Sequence, residues 1–379
     1  MILSINRGSS SIKFAVYPVS LERPALRGKL ERIGLPDGSF KAWDGDGAVL
    51  MDGRPPLKDH EAALKTLLDW LHGRNLNLRV AGHRVVHGGP RYDSPRPVTP
   101  ELVAALKALI PLAPEHLPQE IEAIEAITRL NPGLPQVACF DTAFHRSMPR
   151  VAQLYGLPRE LAYEGILRYG FHGLSYEYIA GQAPRGRVVA AHLGNGASLA
   201  AIRDGVSVDT SMGFTPTGGI TMGTRSGDVD PTVVLYLIRE KKVPAALVGS
   251  MVNEHAGLLG LSGLTPDMGD LLAREKTNPA AAEAVAVFCY QARKYVGAYA
   301  AVMDGLDTLV FAGGIGENAA AVRERICAGL GHLGVRLDPA ANASHADVIS
   351  SPDSPVRVRI IRTNEEWVIA RQAKGVIGL

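Results

Sequence analysis

Four glycine-rich turns hold many of the residues best able to do chemistry. The first is Asn6-Arg7-Gly8-Ser9-Ser10-Ser11-Ile12-Lys13. Its small residues let backbone N–H groups approach a phosphate, its hydroxyls add donors, and Lys13 ends the run with a positive charge. A serine-rich hairpin without a ligand fits the same letters. The chain contains no GxxxxGK[ST], so this is not a Walker loop. His192-Leu193-Gly194-Asn195-Gly196 is the second turn and is open to the same two readings. The third, Gly313-Gly314-Ile315-Gly316-Glu317-Asn318, stands where a helix N-terminus could meet an anion. The fourth, His87-Gly88-Gly89, is similar to an esterase oxyanion loop. No GxSxG nucleophile elbow accompanies it, so a hydrolase lacks its nucleophile.

Charged groups in glycine-rich or aromatic company complete the set. Arg84 closes an apolar strand, and Arg225 sits in Met222-Gly223-Thr224-Arg225-Ser226-Gly227-Asp228. A guanidinium matches phosphate bidentately and keeps its charge, which suits a transferring phosphoryl group, although a surface ion pair is the plainer account of either. Asp141 follows the apolar run Val137-Ala138-Cys139-Phe140, as a carboxylate working at a strand end would; a helix N-cap is the alternative. His172, within Tyr169-Gly170-Phe171-His172-Gly173, reads either as catalytic or as a satisfied core histidine. The sequence has neither HExxH nor a cysteine–histidine cluster at ligand spacing, which argues against zinc.

The elements that must position these groups alternate between strand and helix. Met1–Asn6 and Ile12–Tyr17 read as strands flanking the first turn, and residues 188–203 repeat that plan around the second. Ala81–Val86 runs into His87-Gly88-Gly89 much as Asp307–Phe311 runs into Gly313-Gly314, so the chain echoes itself at about half its length. Helical segments are expected at Pro100–Leu109 behind a Thr99 cap, at Pro118–Leu130 with Ile121, Ile124 and Ile127 on one face, at Asn278–Met303, and at Glu317–Leu330. Residues 203–231 hold six glycines and little periodicity, and read as a long functional loop. This alternation implies an α/β fold.

Composition narrows the function class. In 379 residues, 40 basic and 38 acidic side chains leave +2, which gives no general attraction to nucleic acid or to an anionic membrane. Forty-six per cent hydrophobic and 21% charged residues suit a globular protein. No run of apolar residues reaches membrane-spanning length, and the first residues lack a secretory pattern. Three scattered cysteines, Cys139, Cys289 and Cys327, fit a reducing compartment. A cytoplasmic protein is expected.

Taken together, the segments resemble the acetate kinase (acetokinase) family, collinearly and over essentially the whole chain. The resemblance is carried by residues 6–14, 82–89, 140–145, 168–173, 192–198, 209–216, 222–231, 311–318 and 363–366. It implies a duplicated actin-like fold, of the kind shared by sugar kinases and heat-shock ATPases, with two lobes around a nucleotide cleft: 1–145 with 366–379, and 146–365. It further implies reversible phosphoryl transfer from ATP to acetate, giving acetyl phosphate and ADP, with Mg²⁺ or alternatively Mn²⁺, in a homodimer. Propionate or another short-chain acid is the nearest alternative, and a nucleotide-driven conformational ATPase is another.

By the same resemblance, Asn6 and Glu365 match the residues associated with the metal. Ser9, Ser11, Lys13, the turn His192, Leu193, Gly194, Asn195 and Gly196, the trio Asp267, Met268 and Gly269, and the turn Gly313, Gly314, Ile315, Gly316 and Glu317 match nucleotide-contacting positions. Arg84 matches the carboxylate-binding arginine, Asp141 the catalytic aspartate, and His172 and Arg225 the transition-state stabilisers. Val86, Phe171, Pro216 and His116 match the acyl site. Arg84 and Arg225 are expected to converge from opposite lobes. Acetate is already ionised at neutral pH, since carboxyl groups titrate near ~4, so Asp141 is expected to orient the arginines or the metal and not to act as a base. Three positions depart from the family pattern: Arg7 beside the phosphate turn, Glu115 before His116, and Gly269 where an arginine is usual.

Overall fold

The computed structural model describes residues 1–8 and 10–379. The chain divides into two units, Met1–Phe144 with Asn364–Leu379, and His145–Thr363. Glu365 therefore falls in the first unit.

The first unit is built on β1 (Ile2–Arg7), β2 (Ser11–Tyr17), β3 (Leu26–Glu31), β4 (Ser39–Asp44), β5 (Val49–Gly53), β6 (Val80–Val85), β7 (Arg96–Pro97) and β8 (Gln136–Phe140). Gly8 N donates to Ser11 O at 2.8 Å, which closes the turn and sets β1 and β2 antiparallel. β6 then pairs parallel with β1, and β8 parallel with β6, giving the order β5-β4-β3-β2-β1-β6-β8-β7. Parallel neighbours need crossovers, and helices supply them. These are α1 (His60–His72) before β6, then α2 (Pro100–Ala108) and α3 (Leu117–Leu130) before β8. Thr99 caps α2 by accepting from Leu102 N, as expected. Ile121, Ile124 and Ile127 lie on the buried face of α3, and Ile127 joins Leu3, Phe14, Phe40, Leu64 and Leu67 in the core. The C-terminal helix Glu365–Ile377 packs on β1, β6 and β8.

The second unit holds β9 (Arg187–Leu193), β10 (Ala197–Arg203), β11 (Val206–Thr210), β12 (Thr308–Ala312) and β13 (Arg357–Ile360) in the order β11-β10-β9-β12-β13. Two antiparallel pairings are again followed by two parallel ones. This matches β3-β2-β1-β6-β8 strand for strand, so the α/β fold and its duplicated plan are both present.

Two local expectations change. Residues 206–210, read as loop, are a strand. Asp204 at φ 53° and Gly205 at φ 87° form a tight turn that returns the chain along β10. The helix expected over 317–330 is two helices, Gly313–Asn318 and Ala320–Cys327. They break at Ala319 (φ −106°, ψ 86°), where Asn318 Nδ2 bonds back to Gly314 O at 2.9 Å.

Candidate functional site

In the first unit, the ends of parallel strands carry the charged groups. Arg84, on β6, donates from Nε (3.0 Å) and Nη2 (2.5 Å) to Oδ2 of Asp141, which follows β8. Asp141 N donates to Val85 O at 2.9 Å, so backbone and side chain both fix the carboxylate against its arginine. The Asp141 side chain is 1% exposed and that of Arg84 17%. Burial by itself lowers the pKa of Arg84, but the negative charges of Asp141 and Glu365 outweigh that and raise it. Val86 is buried at the end of the same strand, and its N–H donates to Glu120 Oε2 at 2.9 Å. Glu120 was not singled out in the sequence. Burial pushes its carboxyl up to about 7, while Arg84 and the Val86 N–H pull the other way.

Asn6 Nδ2 donates to Glu365 Oε2 at 2.8 Å, so the two residues associated with a metal meet within this unit. Glu366, also missed, lies beside them. Burial and the charge of Glu365 raise its pKa. Lys13 is exposed on β2, and Ser11 is half-buried at the turn; Ser9 lies outside the described residues. His116 is the residue at the head of α3.

The departures resolve in part. The Arg7 side chain is buried and directed at Glu122 of α3 (3.4 Å), so its charge is engaged by that carboxylate. Glu115 is exposed and needs no buried partner. Gly269 lies in the Met268–Arg274 helix, whose N-cap is Asp267, accepting from Asp270 N at 2.9 Å.

The second unit gathers imidazole, hydroxyl and guanidinium groups around glycine-rich turns. His172 sits at φ 58°, a left-handed conformation uncommon for a side-chain-bearing residue, at the start of the Gly173–Gln182 helix. Its Nδ1 is 2.9 Å from Ser198 Oγ, which is 2.6 Å from Tyr176 OH. Its ring stacks on His192, with centroids 4.5 Å apart. A β-carbon placed on Gly196 would lie 3.4 Å from His172 Nε2 and 3.5 Å from Arg225 Nη1, so all three border one small space. Arg225 Nη1 also reaches Pro216 O at 3.3 Å. Phe171 is buried, and its carbonyl is 3.0 Å from His145 Nε2.

Gly313, at φ 75°, rests on Leu193, where a side chain would clash with the Leu193 carbonyl at 2.8 Å. Gly313 N donates to Glu317 Oε1 at 3.0 Å. Behind this turn, the fully buried Arg323 donates to Gly316 O (2.9 Å), Glu317 O (3.0 Å), Asn342 Oδ1 (2.7 Å) and Asn342 O (2.7 Å). Burial lowers its pKa to about 10. Neither Arg323 nor Ser198 was singled out as a site residue in the sequence: Ser198 meets His172 across 26 positions, and Arg323 spans 19 to Asn342.

Within the second unit, Arg225, the His172 imidazole and open glycine backbone border one space, a set suited to a phosphoryl group. A model of the Acetokinase family matches residues 1–371. The chain belongs to the acetokinase family. An acetate kinase of Rhodopseudomonas palustris is 46% identical over 388 residues, covering 98% of this chain and 97% of that protein. One from Methylocella silvestris is also 46% identical, over 99% and 98%. Among solved structures, the acetate kinase of Porphyromonas gingivalis aligns at TM-score 0.88 with 36% identity, and a propionate kinase from Francisella tularensis at 0.93 with 35%, each over 99% of both chains. Members of the family use ATP or ADP as co-substrate. Among the described residues, no helix is long and apolar enough to cross a membrane.

Proposed function

We propose that this chain transfers the γ-phosphoryl group of ATP to acetate, reversibly and by direct in-line attack. The acetate oxygen forms a bond to the γ-phosphorus as the bond from that phosphorus to the β–γ bridging oxygen breaks, giving acetyl phosphate and ADP. The observation that carries the reading is the space bordered by Gly196, His172 Nε2 and Arg225 Nη1 in a chain of this family. In this reading His172 and Arg225 compensate charge developing on the equatorial phosphoryl oxygens. Arg84 anchors the substrate carboxylate, and Asp141 is a positioning residue that holds Arg84. No base is needed, because the nucleophile arrives ionised.

Arg84 and Arg225 are proposed to act on one transferring group. Val86, Phe171, Pro216 and His116 are assigned to the acyl site. Ser9, Ser11, Lys13, His192–Gly196, Asp267–Gly269 and Gly313–Glu317 are assigned to the nucleotide.

Mg²⁺ fits the residues associated with it. Asn6 and Glu365 offer hard oxygen donors at one place, and among the described residues no group of three or more His, Cys, Asp or Glu could hold a metal. An ion there would draw its remaining ligands from phosphate oxygens and water, the habit of Mg²⁺. When bound, it neutralises phosphate charge.

Trapping acyl phosphate with hydroxylamine across a panel of acids tests the reading. Hydroxamate from acetate and ATP is the expected result, and none from any acid overturns it. The likeness to a propionate kinase favours propionate as the second substrate to rank in the same panel.

A cytoplasmic homodimer is also proposed. Val233, Leu235, Tyr236, Leu247 and Met251 stand exposed on the helices Pro231–Arg239 and Ala245–Glu254, an apolar face suited to a second copy. The free, buried cysteines suit a reducing compartment. Sedimentation at one monomer mass would remove the dimer.

A further inference from the structure

Three consecutive residues at the end of β6 are each tied to an acid. The Arg84 side chain and the Val85 carbonyl bond to Asp141, and the Val86 N–H bonds to Glu120. Glu120 stands in the first turn of α3 and is 4% exposed. Only Oε2 is engaged; among the described residues Oε1 has no hydrogen-bond partner. A buried carboxylate with one oxygen unsatisfied is costly, and a protonated carboxyl less so.

The charges acting on Glu120 are Arg84 from β6, Asp141 after β8 and Arg7 from β1; His116 and Glu122 belong to its own helix. Arg84 is already paired with Asp141, and Arg7 is turned to Glu122. An ionised Glu120 is therefore a further negative charge behind the arginine assigned to the substrate. Protonation removes that charge while Oε2 goes on accepting from Val86, so the strand end keeps its place.

We infer that Glu120 sets the affinity of the Arg84 site for a carboxylate substrate through its own protonation. The inference rests on the reading of Arg84 as the carboxylate anchor. Linkage makes the effect reciprocal: a carboxylate arriving at Arg84 favours the neutral acid, so substrate binding near neutrality takes up protons. The direction of the Glu120 shift toward neutrality agrees with this.

The test is the acetate KM at saturating ATP and Mg²⁺, measured by ADP formation from pH 6 to 8.5, in wild type and Glu120→Gln. In wild type KM should rise roughly tenfold as Glu120 ionises, the size of one unit charge at intermediate dielectric. In Glu120→Gln it should stay low and change less than about twofold, since the amide still accepts from Val86 but cannot ionise. Groups that titrate in both proteins cancel in the ratio, and a merely structural role would leave the two slopes equal. If Glu120→Gln does not fold, wild type decides alone. Calorimetry of acetate binding at pH 7, in two buffers of different ionisation enthalpy, should show proton uptake, and no uptake overturns the inference. Turnover with a flat wild-type KM, or a slope retained in Glu120→Gln, overturns the inference alone. Absence of turnover with every acid overturns the functional reading and the inference with it.

Discussion

In the first unit the turn between its two leading strands runs from Gly8 to Ser11, and the next parallel strand carries Arg84 and ends at Val85. In the second unit the equivalent turn is Gly194–Gly196, and the equivalent strand, β12, runs directly into the helix Gly313–Asn318. Strand order and pairing direction are the same, yet the side chains at these ends are not. The first unit sets charged groups against one another, Arg84 with Asp141 and Arg7 with Glu122, with the titratable Glu120 buried nearby. The second uses glycine backbone and imidazoles, and its most deeply buried cation, Arg323, bonds to carbonyls, an amide and an imidazole. A repeated sheet fixes where strand ends lie and leaves what stands on them free to differ. On this reading, the first unit anchors the charge of a small acid through Arg84, and the second compensates the transferring phosphoryl charge through His172 and Arg225.

The largest break of that division is expected at Arg225. Arg225→Ala should lower kcat by about 10³-fold or more, the scale of losing a transition-state guanidinium, with a much smaller change in acetate KM. Arg84→Ala should instead raise acetate KM more than ATP KM. Equal effects of the two variants on both constants would erase the contrast. Gly196→Ala comes next. Its new methyl meets His172 and Arg225 at 3.4 and 3.5 Å, ordinary contact distances, so the fold should hold. The methyl occupies the space proposed for the phosphoryl group, and kcat should fall by about 10²-fold with the melting temperature unchanged. Unaltered turnover would move the phosphoryl group elsewhere.

How much of this was legible depends on the range of the contact. Strands with glycine turns, the Thr99 cap and the apolar stripe of α3 are local patterns, and each was readable. Asp204-Gly205 is also a local pattern. It is a strong hairpin sequence, but the glycine and hydroxyl content of residues 203–231 obscured it. The Arg84–Asp141 pair spans 57 positions and could be suspected only because both residues end apolar strands. Glu120 offered a usable clue. It precedes Ile124 and Ile127 by four and seven residues, which places it on the buried face of α3. Arg323 offered none, because no repeating pattern announces a guanidinium that bonds back to the carbonyls of Gly316 and Glu317 and across 19 positions to Asn342.

Stability sharpens the comparison further. Asp141→Ala leaves Arg84 buried without its partner and should cost about 3–5 kcal/mol in urea unfolding. A loss under about 1 kcal/mol would mean that water replaces the carboxylate. Each unit also hides a histidine whose pKa burial lowers. His83 is held against Gln136, and His145 lies between Ser207 Oγ and the Phe171 carbonyl. Burial lowers both to about 4 from an ordinary 6.5. Because the unfolded chain binds these protons first, the stabilisation is whole above about pH 6.5 and is lost as pH falls toward 4. Each contributes up to about 3 kcal/mol to that loss. His145→Gln should flatten the slope of stability against pH in this window, and an unchanged slope would mean that His145 titrates normally.

The smallest expected effect tests whether the units respond alike where chemistry is not involved. Asp59 caps α1 in the first unit by accepting from Ala62 N, and Asn278 caps the helix Pro279–Val302 in the second by accepting from Ala281 N. Both are ordinary N-caps on long helices, so Asp59→Ala and Asn278→Ala should each cost about 1 kcal/mol in urea unfolding. Asp59 carries a charge at the positive end of its helix and Asn278 does not, so only the first penalty should shrink in high salt. Equal salt sensitivity would mean that the hydrogen bond alone stabilises both helix starts, and the charge contrast between the units would not extend to their helix caps.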